Sequence, residues 1–185
     1  MNDIFTGELV RLSATNADEI SKAFAAWDLD SEFKRLLQTS AMPLQSSNAI
    51  KRWIEKDSEE LPMDFHPFSI RTLADTRLVG GINLEVVNWN GRDAFVAIFI
   101  GPRENWSKGY GTDAMKIALR YAFTELNLWR VSLGVFEYNP RAVRSYEKAG
   151  FQHEGRIRGA LNREGRRWDM LFMGILREEW MKLNQ

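Results

Sequence analysis

The sequence predicts an α/β protein with one domain, residues 1–185, built on a mixed and mostly antiparallel sheet of about seven strands flanked by helices. Three observations support this class. A chain of 185 residues with 44% hydrophobic content can enclose a proper core. Strand-like segments in its first half are joined by short turns, which favour antiparallel pairing. A later strand leads through a glycine-rich loop into an amphipathic helix, and another strand follows that helix.

Seven segments carry the apolar alternation or the β-branched and aromatic residues that are typical of strands. They are residues 7–12, 65–73, 78–87, 93–100, 130–136, 151–160 and 167–176. The turn at 74–77 and the Asn-Gly signal at 88–91 join three of them into a meander. The last two segments are predicted to form a hairpin over Asn162–Gly165.

Helix signals occupy much of the rest of the chain. Asn16, with Glu19 three residues later, resembles a capping box, and an apolar stripe follows as far as Trp27. The remaining predictions are a short helix over 30–37, a loop over 38–45, a helix capped by Ser46 or Ser47 with Ile50, Trp53, Ile54 and Leu61 on its buried side, and a tail helix over 176–183.

The stretch 98–115 contains the clearest signal for a binding site. An apolar strand ends at Gly101-Pro102, and Gly109 and Gly111 open a helix whose apolar stripe begins at Met115. The first N–H groups of a helix lack intrahelical partners and lie at the positive end of its dipole, and glycines let a phosphate approach them. The loop of nucleoside-triphosphate-binding proteins is excluded, because Lys108 precedes the glycine instead of following it. A dinucleotide-binding fold would need a third glycine.

A second helix with strong local signals follows the strand 130–136. Asn139 is a good N-cap, Pro140 suits the first helical position, and Gly150 stands where a helix ends in the left-handed conformation. These three residues predict a helix of about ten residues between strands.

Composition excludes several classes of protein. Lys plus Arg and Asp plus Glu both number 25, whereas nucleic-acid or membrane-surface proteins normally carry excess positive charge. With no cysteine and two histidines, the chain lacks thiolate chemistry and a histidine metal centre. No signal peptide and no apolar run of ~18 residues is evident, so we expect a cytoplasmic protein that binds neither nucleic acid nor membrane.

Two motifs resemble those of the GNAT acyltransferases. Residues 106–111 match Gln/Arg-x-x-Gly-x-Gly/Ala at both glycines, with Trp106 at the first position. The second motif stands at Asn139, Ala142, Tyr146, Gly150 and Phe151. The resemblance covers roughly residues 7–176. An aromatic residue at 106 and the Gly165–Asp169 hairpin are similar to the subgroup of ribosomal-protein N-terminal (alanine) acetyltransferases and spermidine acetyltransferases.

This resemblance implies an acetyl-CoA-dependent N-acetyltransferase that needs no metal. The sheet would be splayed at the strand before the glycine loop, through the break at Gly101-Pro102. Tyr146 would protonate the leaving thiolate. The cofactor-binding residues that it implies are Ile98, Phe99 and Ile100 for the pantetheine amides, the N–H groups of Ser107, Lys108, Gly109, Tyr110, Gly111 and Thr112 for the pyrophosphate, and Asn139 for the cofactor arm.

The resemblance does not identify a general base. Many relatives carry a glutamate on the strand before the glycine loop, and the corresponding residue here is Phe95. Glu85 and Asp93 are nearby candidates, and a chain of waters or carbonyl groups is an alternative. The absence of that carboxylate also leaves open a CoA-binding sensor without catalytic activity.

The acceptor has two interpretations. The final hairpin contains five arginines, Arg156, Arg158, Arg163, Arg166 and Arg167, which favour a protein or peptide N-terminus or a carboxylate-bearing amine. The acidic segment Glu55, Asp57, Glu59, Glu60 and Asp64 favours a polyamine or aminoglycoside instead. Seven tryptophans, including Trp89 and Trp180, further suggest a homodimer.

Overall fold

A computed structural model describes residues 3–40, 43–59 and 64–184. Its seven strands form one sheet in the order β1-β2-β3-β4-β5-β7-β6, which confirms the predicted class. The strands are β1 Val10–Ser13, β2 Phe65–Thr72, β3 Leu78–Asn88, β4 Asp93–Ile100, β5 Arg130–Phe136, β6 Gln152–Arg163 and β7 Arg166–Leu176. All neighbouring pairs are antiparallel except β4 with β5.

Six α-helices are found in the described part of the chain. They are α1 Ala17–Trp27, α2 Ser31–Leu37, α3 Ser47–Glu59, α4 Tyr110–Thr124, α5 Pro140–Ala149 and α6 Arg177–Leu183. Asn16 caps α1 by accepting a hydrogen bond from the Glu19 N–H at 3.0 Å, as its sequence predicts. Leu61, predicted for the buried side of α3, lies outside the described residues.

The strands β4 and β5 separate after a short paired stretch. They are paired in parallel at Asp93, Ala94 and Phe95, opposite Arg130–Ser132, and they share no register beyond that point. The predicted splay is therefore present, but it opens after Phe95 and not at Gly101-Pro102. Strand β5 keeps β7 as its other partner over its whole length, so only the β4 side of the sheet opens.

The two faces of β4 point to different layers of helices. Ala94 and Val96 are buried in the main hydrophobic core with α4. Because successive side chains alternate, Phe95, Ala97 and Phe99 lie on the opposite face. There the Phe99 ring contacts the aromatic rings of α1 and α2, with centroid distances of 5.4 Å to Phe24 and 6.3 Å to Phe33. Helices α1–α3 thus cover this second face.

The first strand is shorter than predicted. Residues 7–12 were expected to be extended, whereas β1 begins at Val10. The reason is the Asp113 carboxylate in the first turn of α4, which accepts hydrogen bonds from the N–H groups of Glu8, Leu9 and Val10 at 3.1, 2.8 and 2.9 Å. A contact more than a hundred residues away in sequence therefore bends this segment.

We expect Asp113→Ala to lower the free energy of unfolding by about 3 kcal/mol, because three backbone donors lose their acceptor in a buried place. Urea denaturation would measure the loss. Lys116→Ala, an exposed position on the same helix, is the matched control and should change stability by less than about 0.5 kcal/mol. Equal stability of the two variants would contradict this account of Asp113.

The tryptophans differ in their surroundings. Trp180 packs on Phe123 with ring centroids 5.5 Å apart, so it belongs to a satellite of the core. Trp89 is 47% exposed, and its indole N–H donates to Asp64. The homodimer stays a prediction.

No helix among residues 3–40, 43–59 and 64–184 is long and apolar enough to cross a membrane.

Candidate active site

A cleft of about 430 Å³ occupies the space between the diverging strands β4 and β5. Its walls are β4, the glycine loop with the start of α4, the end of β5 and the exposed side of α5. All but one of the residues predicted to bind the cofactor or to act in catalysis line it: Ile98, Phe99, Ile100, Ser107, Gly109, Tyr110, Gly111, Thr112, Asn139 and Tyr146. Lys108 is exposed and does not line the cleft.

The glycine loop has the backbone geometry of an anion site. Ser107 and Gly109 both adopt positive φ angles, 62° and 88°. Gly109 is the N-cap of α4 and provides no side-chain cap, so the N–H groups of the first helical turn are open to a ligand. Successive N–H groups in such conformations form a concave nest for phosphate oxygens. The conformation of Ser107, which glycine would adopt without strain, is consistent with a functional constraint.

Trp106 and Arg141 form a stacked pair on the loop side of the cleft. The Trp106 indole N–H donates to the carbonyl groups of Ile100 and Gly101, at 3.0 Å each. The Arg141 guanidinium lies 3.9 Å from the centroid of the Trp106 ring. Burial lowers the pKa of Arg141 from its ordinary value, and repulsion from Arg103 and Arg144 acts in the same direction.

Sequence reasoning did not identify Arg141 as a site residue. The sequence feature that could have identified Arg141 is its position in the first turn of α5, two residues after Asn139. This turn follows the end of β5, a strand that borders the cleft. A permanently charged guanidinium there adds positive potential where the loop already favours an anion.

Tyr146 projects from α5 into the cleft. Its ring packs near Phe151, with centroids 6.1 Å apart, and its side chain is partly buried against the core. Within the described part of the chain, the Tyr146 hydroxyl has no hydrogen-bond partner. Burial raises the pKa of Tyr146 to about 12, so the phenol carries its proton at every physiological pH. It is thus a proton donor without a competing acceptor.

Asn139 and the start of α5 are held by hydrogen bonds. The Asn139 side-chain oxygen accepts from the Ala142 N–H at 3.2 Å, which leaves its amide NH₂ for another partner. The hydroxyl groups of Ser145 and Thr112 lie 2.8 Å apart and connect α5 to the first turn of α4. These contacts fix both helix starts against the cleft.

The structure places Glu85 beside the position where relatives carry a glutamate. Phe95 is 38% exposed and lines the cleft, and Glu85 stands directly opposite it on β3. Cross-strand neighbours have Cβ atoms about 4.5–5.5 Å apart, so Glu85 and Phe95 share one face of the sheet, and Glu85 is exposed and does not line the cleft. Asp93 instead pairs with Asn88 at the far end of β4.

The arginines of the β6–β7 hairpin divide into two groups. Arg156 pairs with Glu137 and Asp169, at 3.6 and 3.2 Å, and Arg163 donates to the Gln38 carbonyl group. In the described ranges no carboxylate pairs with the other three, which are Arg158, Arg166 and Arg167. Arg166 stacks on Trp168, 3.9 Å from the ring centroid. Apart from Arg163, which a backbone carbonyl group holds, the hairpin thus has three cationic groups without acidic partners among the described residues.

The acidic segment shows no polyamine site in the part that can be described. Glu55 pairs with Lys51 at 3.4 Å, and Asp64 accepts from Trp89. The side chains of Asp57 and Glu59, together with Glu60, lie outside the described residues. Among the residues that are described, no group of three or more His, Asp or Glu side chains could hold a metal ion.

A sheet opened between two parallel strands, with an anion-binding helix start at its mouth and a protonated phenol inside, is suited to hold an extended phosphate-bearing substrate. The family model described as acetyltransferase (GNAT) domain matches residues 9–152. The chain therefore belongs to the GNAT acetyltransferase family. It is an N-acetyltransferase, and acetyl-CoA is the expected co-substrate.

Similar proteins carry related names. The prophage-derived uncharacterized N-acetyltransferase YokL of Bacillus subtilis is 29% identical over 95% of this chain and 94% of its own length. The Vibrio cholerae spermidine N(1)-acetyltransferase is 35% identical, over 60% of this chain and 64% of its own length. The crystal structure of the Vibrio cholerae spermidine N-acetyltransferase in complex with CoA and spermine has a TM-score of 0.80 at 26% identity, over 93% of this chain and 98% of that chain.

Proposed function

We propose that this protein transfers the acetyl group of acetyl-CoA to a primary amine, and that this amine is a peptide N-terminus or another amine that bears a carboxylate. One observation carries the catalytic part of the proposal. The cleft between β4 and β5 contains a phenol, Tyr146, whose hydroxyl has no partner among the described residues.

The cleft offers groups suited to the pyrophosphate, the pantetheine arm and the thioester of acetyl-CoA. The N–H groups of residues 107–112 receive the pyrophosphate at the helix start, with Arg141 beside them. The free edge of β4 at 98–100, which β5 does not cover, pairs with the pantetheine amides as an added strand would. The Asn139 amide is available to the pantetheine arm. This arrangement directs the thioester toward Tyr146.

The transfer then proceeds by direct attack. An ammonium with a pKa near ~10 must first lose a proton, and its nitrogen then attacks the thioester carbonyl carbon. The C–N bond forms, the C–S bond breaks, and the Tyr146 hydroxyl donates its proton to the departing sulfur. The nitrogen releases its second proton to solvent as the amide forms, and the phenolate recovers a proton from solvent. Glu85 is the carboxylate that the strand register favours as the group that receives the ammonium proton, directly or through water.

Two acceptor classes have support from specific observations. Arg158, Arg166 and Arg167 favour a carboxylate on the acceptor, because guanidinium groups pair with carboxylates through two parallel hydrogen bonds. The second candidate is a polyamine, which is supported by the names of the similar spermidine acetyltransferases. The first class is also supported by the name of a third relative, the putative ribosomal N-acetyltransferase YdaF of Bacillus subtilis. It is 29% identical over 73% of both chains.

Thiol release from acetyl-CoA, measured with alanyl peptides and with spermidine, tests the proposal. We expect peptide turnover to exceed that of spermidine and to fall about tenfold in Arg166→Ala/Arg167→Ala. Arg52→Ala, an exposed arginine on α3, is the control and should behave as wild type. Spermidine turnover that ignores the hairpin arginines would favour the polyamine. Tight CoA binding without acetylation of any amine would favour the inactive sensor.

A further inference from the structure

A second cavity, of about 670 Å³, lies on the face of the sheet that α1–α3 cover. Its floor consists of residues from β2 and β3, and its sides are the apolar faces of α1 and α3. The apolar and aromatic lining includes Ile20, Phe24, Ile50, Trp53, Phe65 and Phe68. Trp53 is 65% exposed and stands at the rim. Neither the glycine loop nor Tyr146 lines this cavity.

The second cavity borders the cleft along β4. Ala97 lines the cleft and stands opposite Asn83, which lines the second cavity. Phe99 lines both, and its ring lies over Gly81, where an added Cβ would come within 2.6 Å of the ring. The two spaces therefore meet at neighbouring strand positions, about 5 Å apart. An amine located beside Ala97 would have its substituent at the second cavity.

The floor of the second cavity contains polar groups with no hydrogen-bond partner among the described residues. Ser69 is 1% exposed and lines the cavity, and its hydroxyl makes no hydrogen bond to any residue that the structure describes. The Asn83 side-chain amide likewise has no partner in the described ranges. Ser69 is buried and Asn83 is half-buried, and both line the open cavity. A neutral hydrogen-bonding group of a ligand in the cavity could therefore pair with them.

The charges of the lining are already neutralised. Among the described lining residues, Asp28 is the one carboxylate, and it pairs with Lys34 at 2.8 Å. Lys34 also donates to the Pro43 carbonyl group at 2.9 Å. A second ammonium group on the ligand would thus enter an apolar space in which the described lining residues offer no free counter-ion and one cation, Lys34, is already present. Such burial of an unpaired charge is strongly unfavourable.

From these observations we propose that the second cavity holds the uncharged apolar body of the acceptor, and that the acceptors are monoamines with an aromatic or branched aliphatic group. Peptide N-termini with an apolar first residue belong to this class, and polyamines do not. The proposal rests on the acetyl transfer proposed above and specifies the acceptor of that same site.

A set of matched amines tests the proposal. 2-Phenylethylamine should have a kcat/KM at least about tenfold above those of ethylamine and spermidine, because only its ring uses the cavity. Calorimetry with the CoA-bound protein gives a readout that does not depend on catalysis, and 2-phenylethylamine should bind measurably more tightly than ethylamine. Stronger binding or turnover of spermidine would overturn the proposal.

Two variants test whether the preference for 2-phenylethylamine arises in the second cavity. Ala17 lines the cavity, whereas Ala26 on the same helix is exposed and does not line it. Ala17→Phe should lower the preference for 2-phenylethylamine over ethylamine about tenfold, and Ala26→Phe should leave that preference unchanged. Asn83→Asp places a free carboxylate in the floor, so it should raise turnover of 1,4-diaminobutane relative to 2-phenylethylamine about tenfold.

The outcomes separate this proposal from the proposed function. Loss of CoA binding, or CoA binding without acetylation of any amine, would contradict the acetyl transfer. The binding of 2-phenylethylamine and its response to Ala17→Phe would still decide the assignment of the cavity. Acetylation of ethylamine with no gain from the phenyl ring, or equal effects of Ala17→Phe and Ala26→Phe, would overturn the cavity assignment alone.

Discussion

Tyr146→Phe is expected to lower kcat about 100-fold, because it removes the proton donor of the departing thiolate. Affinity for CoA should stay within about twofold of wild type, since the aromatic ring and its packing near Phe151 remain. The variant should also fold normally, because the hydroxyl makes no hydrogen bond within the described residues. Steady-state kinetics together with calorimetry of CoA binding measure the two quantities separately.

The pH dependence tests the protonation state assigned to Tyr146. With the pKa of Tyr146 raised to about 12, the phenol stays protonated through the whole assay range. The wild-type rate should therefore rise from about pH 6 to about pH 9 as the acceptor ammonium deprotonates, with no decline caused by Tyr146. Tyr146→Phe should lower the whole curve and leave its slope unchanged.

A matched tyrosine provides the control for this experiment. Tyr121 is half-buried on α4, and its hydroxyl lies 3.5 Å from the His66 ring nitrogen, away from the cleft lining. Tyr121→Phe should keep kcat within about threefold of wild type. If Tyr146→Phe were equally active, another group would have to protonate the sulfur, and the role assigned to Tyr146 would be wrong.

Local signals explain why much of the cleft could be predicted. Asn139, Pro140 and Gly150 specify the start and end of α5 through cap and φ preferences, which depend on a few neighbouring residues. Once the position of α5 is known, the helical repeat determines the side of the helix on which Tyr146 lies. Gly109 and Gly111 specify the start of α4 in the same way. The order β2-β3-β4-β5 then follows from two short turns and the crossover through α4, whereas the place of β7 between β5 and β6 has no local signal.

Features that depend on contacts distant in sequence could not be predicted. The bend before Val10 comes from Asp113, and Arg163 is committed to Gln38, so the hairpin cannot contribute all five arginines to an acceptor. The position of Glu85 beside Phe95 depends on the register of β3 with β4. The second cavity arises only when three helices pack on the sheet. None of these arrangements has a signature within a single segment.

The glycine loop gives the second large expected effect. Gly111→Leu should weaken CoA binding at least about tenfold, because the side chain beyond its Cβ occupies the space through which a phosphate reaches the N–H groups of α4. The fold should tolerate the change, since Gly111 lines the cleft and the nearest atoms to a Cβ there are Ile100 Cγ1 and Ser145 Oγ, both at 3.7 Å, an ordinary contact distance. Leucine is also favoured over glycine in a helix, so thermal stability should not fall.

Gly155→Leu is the control, because a Cβ at this position meets no atom within 4 Å and Gly155 does not line the cleft. Calorimetric titration of CoA into both variants, with thermal unfolding measured alongside, distinguishes a lost binding site from a damaged fold. Weaker CoA binding in Gly111→Leu at unchanged stability would assign the phosphate to the start of α4. Unchanged CoA affinity would place the phosphate elsewhere in the cleft, and Arg141 would then be the next residue to replace, because it is the stacked cation on the loop side.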